Sequence, residues 1–228
     1  MTRVTVLIAG LGDLGTRILH ALACLHGVER VVAAGRDVER GTAHASQAQL
    51  IAALSGGPRS VTFERLDLED REAVARLLRR LDPEVIVMAA SRHTWRRSLA
   101  PGSSARTGLL RSLPYGAWLP VQLSLVRALM EAYKDAGIQG QIVSLPFPDA
   151  VGPALAPLGL APHLGAGNVA EVAAKLAVTA AETEGVARQD VEVRLVMHHA
   201  AERYAFSVFG SLAGEGARRG RSVHWDWL

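Results

Sequence analysis

The sequence predicts an α/β fold, a doubly wound parallel sheet (Rossmann) with a small, abbreviated C-terminal region. Three observations carry this expectation. Short β-branched runs alternate with helical patterns at intervals of about 25–30 residues, the rhythm of βαβ units. The first run ends in a glycine-rich turn that opens a helix. Apolar residues make up 49% of the 228 positions, enough to bury such a sheet on both faces.

Residues 3–9 (RVTVLIA) end in glycine and read as a buried parallel strand. A helix follows over 13–26, with Leu14, Ile18, Leu22 and Leu25 on its inner face. Residues 30–34 (RVVAA) predict a second strand, 38–54 a polar helix, and SGGP at 55–58 a turn. A third strand spans 60–66. Asp67 or Glu69 is expected to cap the next helix, which ends near Leu81 before Asp82-Pro83. Residues 84–89 (EVIVMA) predict a fourth strand. The stretch 91–114 is rich in Ser, Arg, Gly and Pro and lacks periodicity, so it reads as a long functional or disordered loop. Helix returns at 115–136 and strand at 139–145. Five prolines then punctuate 146–162. A helix is expected from Asn168 to Glu184 and a half-exposed strand over 190–197. This division places a nucleotide-binding domain at 1–145 and an extension or partial second domain at 146–228.

Composition narrows the rest. The lone Cys24 excludes an intramolecular disulfide framework and favours a reducing, cytoplasmic setting. No apolar run reaches the ~18 residues of a membrane span, and the first residues lack the pattern of a signal peptide. The formal charge of +3 is too small to argue for nucleic acid. Neither a membrane nor a nucleic-acid partner is therefore expected. His20 and Cys24 sit one helical turn apart without further ligands, so no metal is expected.

Gly10-Leu11-Gly12-Asp13-Leu14-Gly15 is a full G-x-G-x-x-G between a predicted strand and a predicted helix. In that context Gly10 permits the tight turn, Gly12 lets a pyrophosphate approach the backbone, and Gly15 lets the helix pack closely. The helix N-terminus offers free N–H groups and partial positive charge to an anion. A P-loop is excluded because Thr16-Arg17 stands where Lys-Ser/Thr is needed. At the end of the second strand, where an NAD site usually carries an acid for the ribose 2′-OH, the chain reads Ala34-Gly35-Arg36-Asp37. Arg36 can face a 2′-phosphate, which favours NADP. Asp37 can cap the next helix or hold the ribose of NAD, which stays the alternative. Ala89 and Ala90, closing the fourth strand, complete the expected cofactor contacts.

The second half holds Val143-Ser144-Leu145-Pro146-Phe147-Pro148-Asp149, Gly159-Leu160-Ala161-Pro162, Gly165-Ala166-Gly167-Asn168 and Val196-Met197-His198-His199. In order and spacing this resembles the lactate/malate dehydrogenase family, and the glycine turn extends the resemblance over most of the chain. The N-terminal half is also similar to saccharopine-dehydrogenase-like reductases. The resemblance implies a hydride transfer between a nicotinamide cofactor and a carbonyl or hydroxyl on a small molecule, anionic acids included. It puts His198 at the catalytic His, Glu171 at the acid that orients it, and Arg92 or Arg96 at the loop Arg that polarises the carbonyl. Three positions depart from the family: Ser144-Leu145 where a strand ends in Asn, Ala174 where an Arg binds the substrate carboxylate, and His199 where Gly follows the His.

Chemistry supports the pair independently. Reducing a carbonyl needs a proton source beside the nicotinamide, and a His paired with a carboxylate keeps its charged form available near neutral pH. Arg92, His93, Arg96, Arg97, Arg106 and Arg111 give the long loop the character of a lid over an anion. The chain carries 30 residues after His198, fewer than the resembled family does, so an abbreviated substrate region, a partner subunit that completes the site and a truncated chain stay open. An uncovered sheet face or apolar patch would favour association, and a homo-oligomer is expected. A non-catalytic dinucleotide-binding protein is the other reading.

Overall fold

The computed structural model describes residues 4–93, 115–167 and 169–196. β1 (Val4–Ala9), α1 (Asp13–Ala23), β2 (Val28–Gly35), α2 (Val38–Ser55), β3 (Ser60–Arg65), α3 (Arg71–Leu81) and β4 (Val85–Met88) follow in order. A 3-10 turn (Tyr115–Trp118) leads into α4 (Leu119–Ala136), then β5 (Gln141–Ser144), α5 (Pro148–Leu155), β6 (Leu164–Gly165) and α6 (Val169–Glu184). Two compact units result, Met1–Ala166 and Gly167–Leu228.

The first unit holds a six-stranded sheet in the order β3-β2-β1-β4-β5-β6. Every pairing is parallel. This is the doubly wound order of the Rossmann fold. Alternate residues of each strand feed opposite faces. Ile8, Val31, Ala33 and Val61 meet Leu19 and Ala23 of α1 and Ala48 and Ala52 of α2. Leu7, Val32, Ile86, Met88 and Ile142 meet Val74 and Leu78 of α3 and Val126 and Leu129 of α4. Burial on both sides explains why β1 and β2 read as unbroken apolar runs rather than alternating ones. The apparent polarity of α2 conceals a buried stripe of small residues, Gly41, Ala45, Ala48 and Ala52. Small side chains bring this helix onto the sheet: a Cβ at Gly41 would lie 2.1 Å from the Phe63 ring.

Several expectations need correction. The inner face of α1 is Gly15, Leu19 and Ala23, not the Leu14 stripe; Leu14 is 51% and Leu25 50% exposed. The buried stripe is one residue round the helix, flanked by the half-buried Ile18 and Leu22. The cap of α3 is Asp70, which accepts from the Ala73 N–H at 2.9 Å, not Asp67 or Glu69. Asp67 instead accepts from the Glu69 N–H and turns the chain ahead of the cap. The proline-rich stretch contains α5, with Pro148 in its first turn, where a missing N–H costs nothing. It also leads to β6, which pairs with β5 through Val143↔Leu164 and Ser144↔Gly165. The first compact unit, which holds that pairing, runs to Ala166.

In the second unit α6 buries Val172, Ala177 and Ala181. A 3-10 turn at Arg188–Asp190 follows. Residues 191–196 alternate half-buried and exposed, as the predicted strand would, but the described residues there form no strand. Alternation reports two-sided exposure of an extended chain and needs a partner strand to become sheet.

Candidate functional site

The fold places a crevice where strand order reverses. β1 pairs with β2 on one side and β4 on the other, and their C-terminal ends open between them. The glycine turn lies at this point. Gly10 has φ +109, and a Cβ there would stand 2.6 Å from Ala90 Cβ and 2.7 Å from its backbone N. The Gly10 N–H donates to Ala34 O at 2.9 Å, tying the turn to β2. A Cβ on Gly15 would fall 2.0 Å from Gly10 O. Both glycines are thus demanded by the chain's own packing.

Gly12 differs. It is the N-cap of α1 with φ −75, a conformation any residue adopts. It is exposed, and a Cβ would meet nothing within 4 Å. Among the described residues nothing requires glycine there. What it leaves is bare backbone ahead of the first-turn N–H groups of α1, open to solvent. These residues fit a dinucleotide pyrophosphate. Asp13 and Leu14, also in the expected cofactor set, are exposed in the same turn, with Asp13 3.6 Å from Arg17. Ala89 and Ala90 form the floor. The Ala89 N–H donates to Ala9 O at 2.9 Å, and its Cβ faces Gly15 at 3.5 Å.

At the end of β2, Arg36 is exposed. Asp37 caps α2, its Oδ1 accepting from the Arg40 N–H at 3.0 Å. The carboxylate that offered the NAD alternative is therefore engaged as a cap. Gly35 makes little room of its own, since a Cβ there would sit in ordinary contact, 3.8 Å from Phe63 and 3.9 Å from Leu11 N. Next to it lies Arg65, unflagged by the sequence: β3 pairs Arg65 with Gly35. Only strand register places it there.

Beyond β4, Arg92 donates from Nε to Ser124 Oγ at 2.9 Å and ion-pairs with Glu69. This holds Arg92 between the start of α3 and α4. His93 stacks on the buried Trp118, ring centroids 5.0 Å apart, so Trp118 is core as its apolar surface suggests. The end of β5 carries Ser144, 2% exposed, whose Oγ has no hydrogen-bond partner among the described residues. A buried hydroxyl without a partner is costly, about 1–3 kcal/mol. Glu171 lies in the first turns of α6, in the second unit. His198, and Arg96, Arg97, Arg106 and Arg111 of the long loop, lie outside the described residues.

Away from the crevice, Arg71 of α3 binds Asp135 of α4 through two hydrogen bonds and approaches Glu131 at 3.3 Å. The Arg71 hydrogen bond holds the Asp135 carboxyl below its ordinary range.

A sequence model of the KR domain, an NAD(P)-binding Rossmann family, matches residues 4–93, which run from β1 to just past β4. No curated protein sequence matches the chain. Among solved structures, the minor L-lactate dehydrogenase of Enterococcus mundtii aligns with TM-score 0.57 and 15% identity, over 87% of this chain and 56% of that one. Malate dehydrogenase from Plasmodium falciparum aligns with TM-score 0.54 and 14% identity, over 83% and 52%. Lactate dehydrogenase from Eimeria maxima, solved with NADH and oxamate, aligns with TM-score 0.54 and 16% identity, over 84% and 51%. The chain thus spans about half the length of these enzymes. The likeness read from sequence motifs is thus a likeness of fold. Among the described residues no helix is long and apolar enough to cross a membrane.

Proposed function

We propose that this chain is an NAD(P)-dependent oxidoreductase that prefers NADP(H) and acts on a carbonyl or hydroxyl of a small molecule, acids included. The observation that carries the reading is Gly12, a glycine with no conformational or packing need, set at the mouth of a turn whose other two glycines are obligatory. The bound dinucleotide would supply or accept the hydride. The first-turn N–H groups of α1 hold its pyrophosphate. Arg36 meets a 2′-phosphate, while Asp37 caps α2 through its Oδ1. His198 exchanges the proton and Glu171 orients it. A homo-oligomer in the cytoplasm is part of the same reading.

Fluorescence titration with NADPH and NADH tests it. NADPH is expected to bind well below millimolar and more tightly than NADH, and Arg36→Ala should abolish the difference. Absence of binding by both refutes the central claim. The second reading, a dinucleotide-binding protein without turnover, is favoured by the pairing of Arg92 with Glu69 and Ser124, which occupies the proposed carbonyl-polarising side chain. It predicts cofactor binding but no substrate-dependent oxidation of NADPH.

A further inference from the structure

Arg65 is placed by β3, not by any motif. Along this strand Val61 and Phe63 pack on the side of α1 and α2. Glu64, one residue out of phase, bonds Arg80 of α3 at 2.9 Å on the other side. Alternation therefore sends Arg65 to the α2 side. There it stands at the C-terminal end of the strand, next to Gly35 in register, with Arg36 the first residue past the end of the adjoining strand. The Leu66 N–H donates to Gly35 O at 2.8 Å, which locks these two strand ends together.

The flanking acids are engaged elsewhere. Asp37 caps α2, Glu64 pairs across the sheet, and Asp67 accepts from the Glu69 N–H. Arg40, the other nearby guanidinium, donates from Nε to His44 at 3.3 Å along its own helix. Among the described residues neither Arg36 nor Arg65 has an ion pair. Two exposed arginines at the ends of neighbouring strands, whose backbones run ~5 Å apart in the pairing direction, match a dianionic group that can accept several hydrogen bonds at once.

We infer that Arg65 is the second arm of a 2′-phosphate clamp with Arg36, so that the end of β3 sets selectivity for the phosphorylated dinucleotide. The inference rests on the NADP(H) reading above and adds a residue to it. Because Arg65 is exposed, its removal should spare the fold, which thermal unfolding checks.

The test compares adenosine 2′,5′-bisphosphate with 5′-AMP by calorimetric titration. Arg65→Ala is expected to weaken the bisphosphate about tenfold and 5′-AMP less than about twofold. Arg65→Lys should recover part of the loss, since an ammonium keeps the charge without the fork. If Arg65→Ala weakens both nucleotides equally, the side chain supports the adenine or the fold and the inference fails. If Arg36→Ala removes the preference while Arg65→Ala does not, the inference fails and the cofactor reading stands. Wild-type protein indifferent to the 2′-phosphate overturns both.

Discussion

Replacing Gly12 by alanine should separate ligand binding from folding. At the N-cap, alanine is worse than glycine by several tenths of a kcal/mol, while its stiffer unfolded chain returns about 0.4–1 kcal/mol. With φ −75 and no neighbour within 4 Å of the new methyl, nothing else opposes it. Stability should therefore stay within about 0.5 kcal/mol of the parent. A ligand phosphate, however, must approach the same backbone. Losing one charge-assisted hydrogen bond there costs about 1.5–3 kcal/mol, or about 10- to 150-fold in affinity. Gly15→Ala is the opposite case. Its Cβ would lie 2.0 Å from Gly10 O, so backbone must move by roughly an ångström, and overpacking of that kind costs about 1–3 kcal/mol or more. Urea unfolding and NADPH fluorescence titration read the two effects. The reasoning is refuted if Gly12→Ala keeps both the parent midpoint and an affinity within twofold.

Three further outcomes are expected. Asp70→Ala should lower stability by about 1 kcal/mol through loss of the α3 cap, seen as a lower urea midpoint, whereas Glu69→Ala should not remove that cap. His163→Ala deprives the Ile142 N–H of its acceptor, 3.0 Å away, and should cost about 1 kcal/mol while speeding amide exchange at Ile142. Asp135 is held ionised by Arg71, so its contribution is present above the ordinary carboxylate range and is lost as pH falls through its lowered value. Asp135→Asn should accordingly be less stable than the parent near neutrality and converge with it in acid; a difference that persists at the lowest pH speaks against the ion pair as the cause.

What was legible follows from what a residue type constrains by itself. Gly10 and Gly15 declare backbone geometry, and β-branched runs declare burial, so five strands and the turn were visible. The α3 cap was misassigned because Asp67, Glu69 and Asp70 are all acceptable caps, and only the Asx turn at Asp67 selects among them. β6 has two residues, both exposed, too few to show a period. The strand expected at 190–197 had the period but no partner. Arg65 escaped notice for a further reason: its meaning depends on register with Gly35, a relation between segments 30 residues apart.

The seam between β1 and β4 has a kinetic consequence. The Thr5 N–H donates to Glu84 Oε2 at 2.6 Å across 79 residues of chain, whereas β1 reaches β2 from Val4↔Val28 onward. Closing the longer span costs about 1 kcal/mol more in chain entropy and comes with slower, less local contacts. The first three strands can associate early, and the seam to β4 closes after them. Pulse-labelled exchange should protect the Val31–Ala34 amides before that of Ala89. A molecule seated over the reversal point would bridge this late joint, so its dissociation and the opening of the sheet would be coupled events.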